Sequence, residues 1–423
     1  MEIKVCRLPV MLALLVLTKA ALDYFAFHVS GVYGIYGIDV RGDWFTSRYF
    51  LSWLVSLAVF ISALPYLSIC RDEIDFAVVF LVVATFLPSA SVFWAAEGDG
   101  EFFAFGAVFW VACLLLLYLV SWVAPWAEGL DPKLPVSRMQ APLSALYAVV
   151  LALLLVNLLR SYSIGLDFGF DTVYQRRKEF VAWLSGGWTY LYAWAVYVFA
   201  AYLVFVSRSK PLKLFGLGYT LVFFLAAGDK VYLFLIALMA VFRVLRHYGR
   251  AVPLLLSGFA VLFALAAMLD SLWLGFIVNR FVILPLDIAY RYASHFAGEH
   301  LMYGYSFLSG FFPYRYDGAP SQIIGDIYYK RGDGANVNFL ADAYVNLGWL
   351  ALPALLTFFI GLRVVFRNSR YLVLLCPLLV QLMNAPLPTV LLTGGGILMI
   401  VGCLLLLRSN QQPVAVPHPL SAQ

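Results

Sequence analysis

The sequence predicts an all-α, polytopic membrane protein of about twelve transmembrane helices, with a long polar loop between helices 9 and 10. Three observations predict it. The chain is 63% hydrophobic and only 12% charged, with a mean hydropathy of +0.89; soluble domains carry about 25% charged residues. Apolar runs near the length of about twenty residues that crosses a bilayer follow one another along the chain, and every second connection is basic. One stretch, Trp273 to Asp342, breaks this pattern: it is long and polar, and nearly a quarter of its residues are aromatic. Disordered segments are poor in aromatics, so this stretch reads as folded and functional.

Taken in order, the expected spans are 8–28, 49–69, 76–96, 103–124, 141–160, 187–206, 212–228, 230–246, 252–273, 341–362, 371–386 and 389–407. The first resembles a signal peptide in outline, but its apolar run continues past Asp23 to His28, so it reads as an uncleaved span. Basic residues mark one side of the membrane: Lys4, Arg7, Arg71, Lys133, Arg138, Arg208, Lys210, Lys213, then Arg243, Arg246, Arg250, Arg363, Arg367, Arg370 and Arg408. The positive-inside rule places that side, and both termini, in the cytoplasm. The 29–48 and 161–186 loops and the long 274–340 loop, which contains short helices, are then outside. Residues 1–409 form a single transmembrane domain on this reading, and the proline-bearing segment 410–423 is a disordered cytoplasmic tail.

Some polar residues fall inside spans, where they are costly unless paired or functional. Lys19 and Asp23 are four apart and can form an ion pair on one helical face, near the outer interface. Gly394, Gly395 and Gly396 permit a kink or a close helix crossing. The five cysteines fall in spans or on the basic side, so no disulfide framework is implied. The net charge of +5 is too modest for a nucleic-acid binder, and there is no Walker A loop, HExxH or CxxC. Nothing repeats in the manner of an inverted-repeat transporter.

Three outer elements carry clustered cations. The first is DTVYQRRKEF, with Tyr174, Arg176, Arg177 and Lys178. The second is the turn Gly228-Asp229-Lys230, which joins two apolar runs as a helical hairpin. The third is the long loop, with Arg280, Arg291, Arg315, Lys330 and Arg331. There Pro285 suits the first turn of a helix and Gly298 its end. Asp287, Arg291 and His295 recur every four residues between them and so share one face. Guanidinium groups match phosphate oxygens bidentately, and tyrosine rings stack on apolar sugar surfaces. The pattern reads as a cationic, aromatic-walled pocket at the outer membrane–water boundary. It suits a ligand with phosphate at headgroup height and sugars above.

The YQRR segment before the sixth span, GDK at the hairpin turn, NRF at the start of the long loop and GANVNFLADAYVNLGWL at its end resemble the Wzy-type oligosaccharide repeat-unit polymerases. These are relatives of the O-antigen ligases. An Arg-x₁₀-Gly spacing fits Arg176 and Gly187 but does not recur in the long loop, and position 230 holds lysine where arginine is more usual.

The resemblance implies a GT-C-like, metal-independent glycosyltransferase with no cofactor, working on the periplasmic face of the bacterial inner membrane. Its partners would be the lipid bilayer and undecaprenyl-diphosphate-linked oligosaccharide, with a chain-length regulator as a candidate and no nucleic acid. The catalytic candidates are Arg280, Arg291 and Lys230 on the diphosphate, with Asp287 and His295 as possible bases. Tyr174, Arg176, Arg177, Tyr292, Arg315, Asn336 and Asn338 are candidates for substrate contact. Asp39 and Asp43 hint at a metal-dependent GT-C alternative. The competing functions are an O-antigen ligase acting on lipid A core and a transporter or flippase of a lipid-linked anion.

Overall fold

The computed structural model describes residues 8–32, 38–68, 73–123, 140–164, 176, 179–180, 182–184, 188–227, 240, 248–269, 272–329, 334–366 and 374–407. The described chain is helical, and eight helices are long and apolar enough to cross a membrane. These are Leu8–Val32, Ser47–Leu67, Ile74–Ala95, Gly100–Trp122, Ala141–Ser161, Lys210–Ala227, Ala251–Met268 and Phe339–Val365, with Tyr190–Phe205 as a shorter apolar helix. Most of the expected 230–246 span lies outside the described residues. The expected 371–386 span holds a helix at Cys376–Gln381 followed by turns, and the last span is broken at residues 393–395.

The chain divides into two compact units. The first comprises Met1–Pro125, Leu245–Arg367 and Leu378–Val390. Its helices are α1 (Leu8–His28), α2 (Ser47–Ser68), α3 (Glu73–Leu81), α4 (Leu87–Ala95) and α5 (Gly100–Val123). Later in the chain come α6 (Tyr248–Met268), α7 (Leu272–Val278), α8 (Leu284–His295), α9 (Pro320–Ile324), α10 (Phe339–Leu347) and α11 (Ala351–Val365). α3 and α4 join through the π-turn Val82–Phe86 into a single rod at the centre of the unit, 89% buried over its apolar window. A helix hydrophobic all round belongs in such a place. α1 packs against α4 and α6, and α5 against α2 and α11.

Two prolines explain two of the π-turns. Proline in a helix interior lacks an N–H and crowds the carbonyl four residues back. Pro88 and Pro285 each follow a five-residue π-turn, Val82–Phe86 and Asn279–Ile283, whose wider register leads the helix through the proline. Pro285 stands in the first turn of α8, as the sequence led us to expect, but the π-turn before it carries the helix on from α7. The proline therefore lies inside a continuous rod running from α7 to the end of α8. The two Leu-Pro segments meet: the Tyr290 hydroxyl donates to the Ser89 carbonyl at 3.0 Å and lies 2.9 Å from Ser89 Oγ. Gly98 lies against the Tyr290 ring, where an added Cβ would come within 2.6 Å of the ring carbons. Gly298, at φ +83°, follows α8 in the left-handed region, as its position predicts.

The long loop is anchored. Leu301 and Met302 donate their amides to the carbonyls of Val345 and Asn346, at 3.1 and 3.0 Å. Those carbonyls stand in the last turn of α10, where helical partners are lacking. Asn338 caps the start of α10, its Oδ1 accepting from the Ala341 amide at 2.9 Å.

Among the described residues, the first unit also buries the ion pairs Lys19–Asp23 and Arg363–Asp75. Lys19 and Asp23 meet at 2.5 Å, with side chains 0% and 1% exposed. They sit in the second half of α1, toward His28. Asp23 also accepts from Ser91 Oγ at 2.6 Å and Trp94 Nε1 at 3.1 Å, which ties α1 to α4. Arg363, expected among the basic connections, is buried in α11 and pairs with Asp75 at 3.4 Å. Its place in the core reflects that partner, since a buried charge needs one.

The second unit comprises Trp126–Val244, Asn368–Pro377 and Leu391–Gln423. It contains helices Gln140–Ser161, Trp188–Trp194, Ala201–Phe205, Lys210–Ala227 and Gly396–Leu407, with a π-turn at Ala195–Ala200. Gly216 lies at a close crossing, 3.0 Å from the Ala200 carbonyl by its would-be Cβ. Gly395, at φ +77°, breaks the last span against Val198 and Trp194, so the glycines serve both the kink and the packing.

Candidate functional site

α8 presents Asp287 and Arg291 one turn apart, and the spacing brings them together as expected: Arg291 Nε lies 3.4 Å from Asp287 Oδ1. The other carboxylate oxygen accepts a 2.8 Å hydrogen bond from the Tyr329 hydroxyl. Tyr329 closes the π-turn Gly325–Tyr329 after α9, and its neighbour Tyr328 lies under the Arg291 guanidinium, 5.2 Å from ring centroid to Cζ. Arg291 is thus held from two sides, by a carboxylate and by an aromatic face.

This cluster forms one wall of a cavity of about 690 Å³. The opposite wall is the end of α1 and the segment after it: Phe27, His28, Gly31 and Val32, then Ile38, Asp39 and Val40. Both sides mix character: His28 and Asp39 stand among the apolar residues near α1, and Ile327 stands beside Asp287, Arg291 and the two tyrosines. Asp39 is exposed and pairs with Arg41 at 2.9 Å. Phe27 rests on the Trp94 ring, stacked at 5.4 Å, and Trp44 packs against Trp94 at 4.9 Å. The cavity therefore sits beside an aromatic cluster at the end of the first span.

The electrostatics of Asp287 are opposed. Burial pushes its carboxyl above the usual range, while Arg291, the Tyr329 hydroxyl and, more distantly, Arg41 pull it down; burial prevails. Burial, followed by the neighbouring carboxylate, pushes the Tyr329 phenol up as well, so it remains a hydrogen-bond donor. Both Asp287 oxygens are engaged. Its geometry suits orienting Arg291 better than abstracting a proton.

The other candidates fall in different places. Arg280 is half-buried on the π-turn Asn279–Ile283, about 16 Å along the rod from Arg291, and is not among the cavity's lining residues. His295 shares the α8 face but stands past the cavity, with its ring 6.3 Å from that of Tyr328. Arg315 is exposed and pairs with Glu299 at 3.1 Å. Asn336 is exposed. Tyr292 is buried and donates to the Ala335 carbonyl at 2.9 Å, and Asn338 is the buried cap of α10. These last two hold backbone, where the sequence reading gave them substrate. In the second unit, Arg176 is buried and donates to the Leu225 carbonyl at 3.3 Å, in the last turn of Lys210–Ala227. A cation there complements the helix C-terminus. Tyr174, Arg177 and Lys230 lie outside the described residues.

Sequence reasoning missed Tyr328, Tyr329 and His28, and gave Asp39 only as a metal hint. Tyr329 reaches Asp287 across 42 residues, and no local spacing marks such a pairing.

The fold defines the class: this is a multi-pass membrane protein built of apolar helices. No family model, curated protein or solved structure matches the chain.

Proposed function

We propose that the chain is a periplasmic-face glycosyltransferase of the Wzy type, which polymerises oligosaccharide repeat units carried on a polyprenyl diphosphate. The supporting observation is Arg291, oriented by Asp287 and Tyr328 and lining a cavity of mixed apolar and polar character. A volume of about 690 Å³ lies within the usual range for small-ligand sites. In the reaction, an acceptor hydroxyl oxygen bonds to the anomeric carbon of the donor chain. The carbon–oxygen bond to the diphosphate breaks, the diphosphate leaves with the electron pair, and the hydroxyl proton passes to a base. Charge grows on the leaving diphosphate, and a fixed guanidinium aimed at it supplies the largest single assistance.

The test is chain elongation by the purified protein with lipid-linked repeat units in vesicles. Products longer than one repeat support the reading, and chelator should leave them intact. Asp39 is already compensated by Arg41. Loss with EDTA and rescue by magnesium would instead favour a metal-dependent enzyme using Asp39 and Asp43. A lipid A core acceptor accepted in place of a repeat unit would make the protein a ligase.

One observation favours a second reading, a transporter of a lipid-linked anion: the Lys19–Asp23 pair is fully buried within the first span. Movement of labelled lipid across vesicles without elongation would favour it.

A further inference from the structure

A chain of aromatic rings leaves the cavity and runs out along the long loop. It begins with Tyr328 under Arg291, at 5.2 Å. The His295 ring lies 6.3 Å from Tyr328 and 6.4 Å from Tyr316. Tyr316 lies 5.6 Å from Tyr314, and Tyr314 lies 5.1 Å from Tyr305. Successive rings are turned against one another by 89°, 47°, 53° and 55°, so the row is a series of stepped faces rather than a flat sheet. The residues come from the end of α8 and three separate stretches beyond it, so the alignment is tertiary rather than a helical stripe.

This row differs from core packing. The rings buried elsewhere in the unit, such as Phe105, Phe109 and Trp110, are sealed. In the row, Tyr314 and Tyr316 are half-buried and Tyr305 is 50% exposed. Polar groups line its flanks: Arg315 and Glu299 pair at 3.1 Å beside Tyr314 and Tyr316, and the Tyr314 hydroxyl donates to the Gly318 carbonyl at 2.8 Å. Burial, then Tyr305 and Tyr316, push the Tyr314 phenol up to about 12, so it stays protonated at neutral pH. The loop carrying the row is pinned to α10 by the Leu301 and Met302 amides, which limits the entropy lost on binding.

We infer that the row Tyr328–His295–Tyr316–Tyr314–Tyr305 is an extended glycan-binding track, which carries several sugars of an oligosaccharide between the cavity and the loop surface. Successive pyranose rings expose apolar faces that stack on aromatic rings, while their hydroxyls take hydrogen bonds from the phenols and flanking charges. A hydrophobic protein partner would need a sealed apolar patch, and a phosphate ligand would need convergent cations. The row offers neither: its flanking cation Arg315 is already paired with Glu299. The track rests on the transferase reading for its use, since a polymerase must hold a growing chain, but its binding can be tested separately.

The experiment uses the full-length chain in detergent on a microarray of bacterial surface oligosaccharides, with Tyr305→Ala, Tyr314→Ala and Tyr305→Phe beside the unaltered protein. Tyr305 is the most exposed ring of the row, so its removal leaves folding intact. The expected result is binding that strengthens with oligosaccharide length, weakens about two- to tenfold for each alanine variant and is retained by Tyr305→Phe. In cells, the alanine variants should give shorter polymer at normal protein level. No binding by the unaltered protein, or equal binding by all variants, overturns the track and leaves the transferase reading standing. Tyrosine-dependent binding without elongation in vesicles keeps the track and overturns the transferase.

Discussion

The Tyr329 hydroxyl donates to Asp287 at 2.8 Å, and this contact joins a turn late in the long loop to the first turn of α8. With Arg291 on the other oxygen, Asp287 is a fully engaged carboxylate whose work is positioning. That distinction is open to measurement.

Removing Arg291 should lower elongation by about two to three orders of magnitude, as expected for a lost preorganised charge contact. Arg291→Lys keeps the charge without the planar fork and should recover only part of the rate. Asp287→Ala should reduce the rate less than Arg291→Ala does, because the guanidinium remains but is held by Tyr328 alone. Polymer amount on gels, normalised to protein in the membrane, gives the comparison. Full-length polymer from Arg291→Ala at normal protein level would remove Arg291 from the site.

The pH dependence of stability follows from Asp287. Its folded pKa is raised by burial, so its contribution favours the folded state below the ordinary carboxylate pKa. That contribution is lost as pH rises through the raised value. Asp287→Asn cannot ionise and should lack this component. The thermal stability of the unaltered protein minus that of Asp287→Asn should therefore fall as the pH rises above the ordinary carboxylate range. A difference that is flat or rises with pH would show that Arg291 and Tyr329 outweigh burial.

The buried pair in α1 predicts a thermodynamic cycle. Lys19→Met leaves Asp23 charged and buried, and Asp23→Asn leaves Lys19 without its counter-charge. Each should cost about 3–5 kcal/mol. The double variant Lys19→Met/Asp23→Asn should recover much of that, because the asparagine oxygen still accepts from Ser91 and Trp94. Thermal unfolding in detergent measures all three. Additive losses would mean that the two residues do not act as a pair.

Orientation can be read with reporter fusions. Fusions at Asp171 and Gly318 should report the periplasm, and fusions at Lys133, Tyr248 and Asn368 the cytoplasm. A cytoplasmic signal at Gly318 would place the cavity on the wrong side for periplasmic chemistry.

Local chemistry made part of this protein legible in its sequence. Apolar runs of bilayer length become helices because backbone groups in lipid must be satisfied within the segment. The four-residue spacings of Lys19 with Asp23 and of Asp287 with Arg291 place each pair on one face whatever surrounds the helix. Gly298 at the end of α8 carries its own backbone preference. Tertiary structure alone decided the rest. Pro285 lies inside a rod because the π-turn before it makes room, and Arg363 is buried because Asp75, far away in the chain, is there to pair with it. The cavity is assembled from the end of α1, the Asp39 segment, α8 and the turn at Tyr329. Spacing along a chain predicts contacts a turn apart, whereas these contacts form only when distant segments pack.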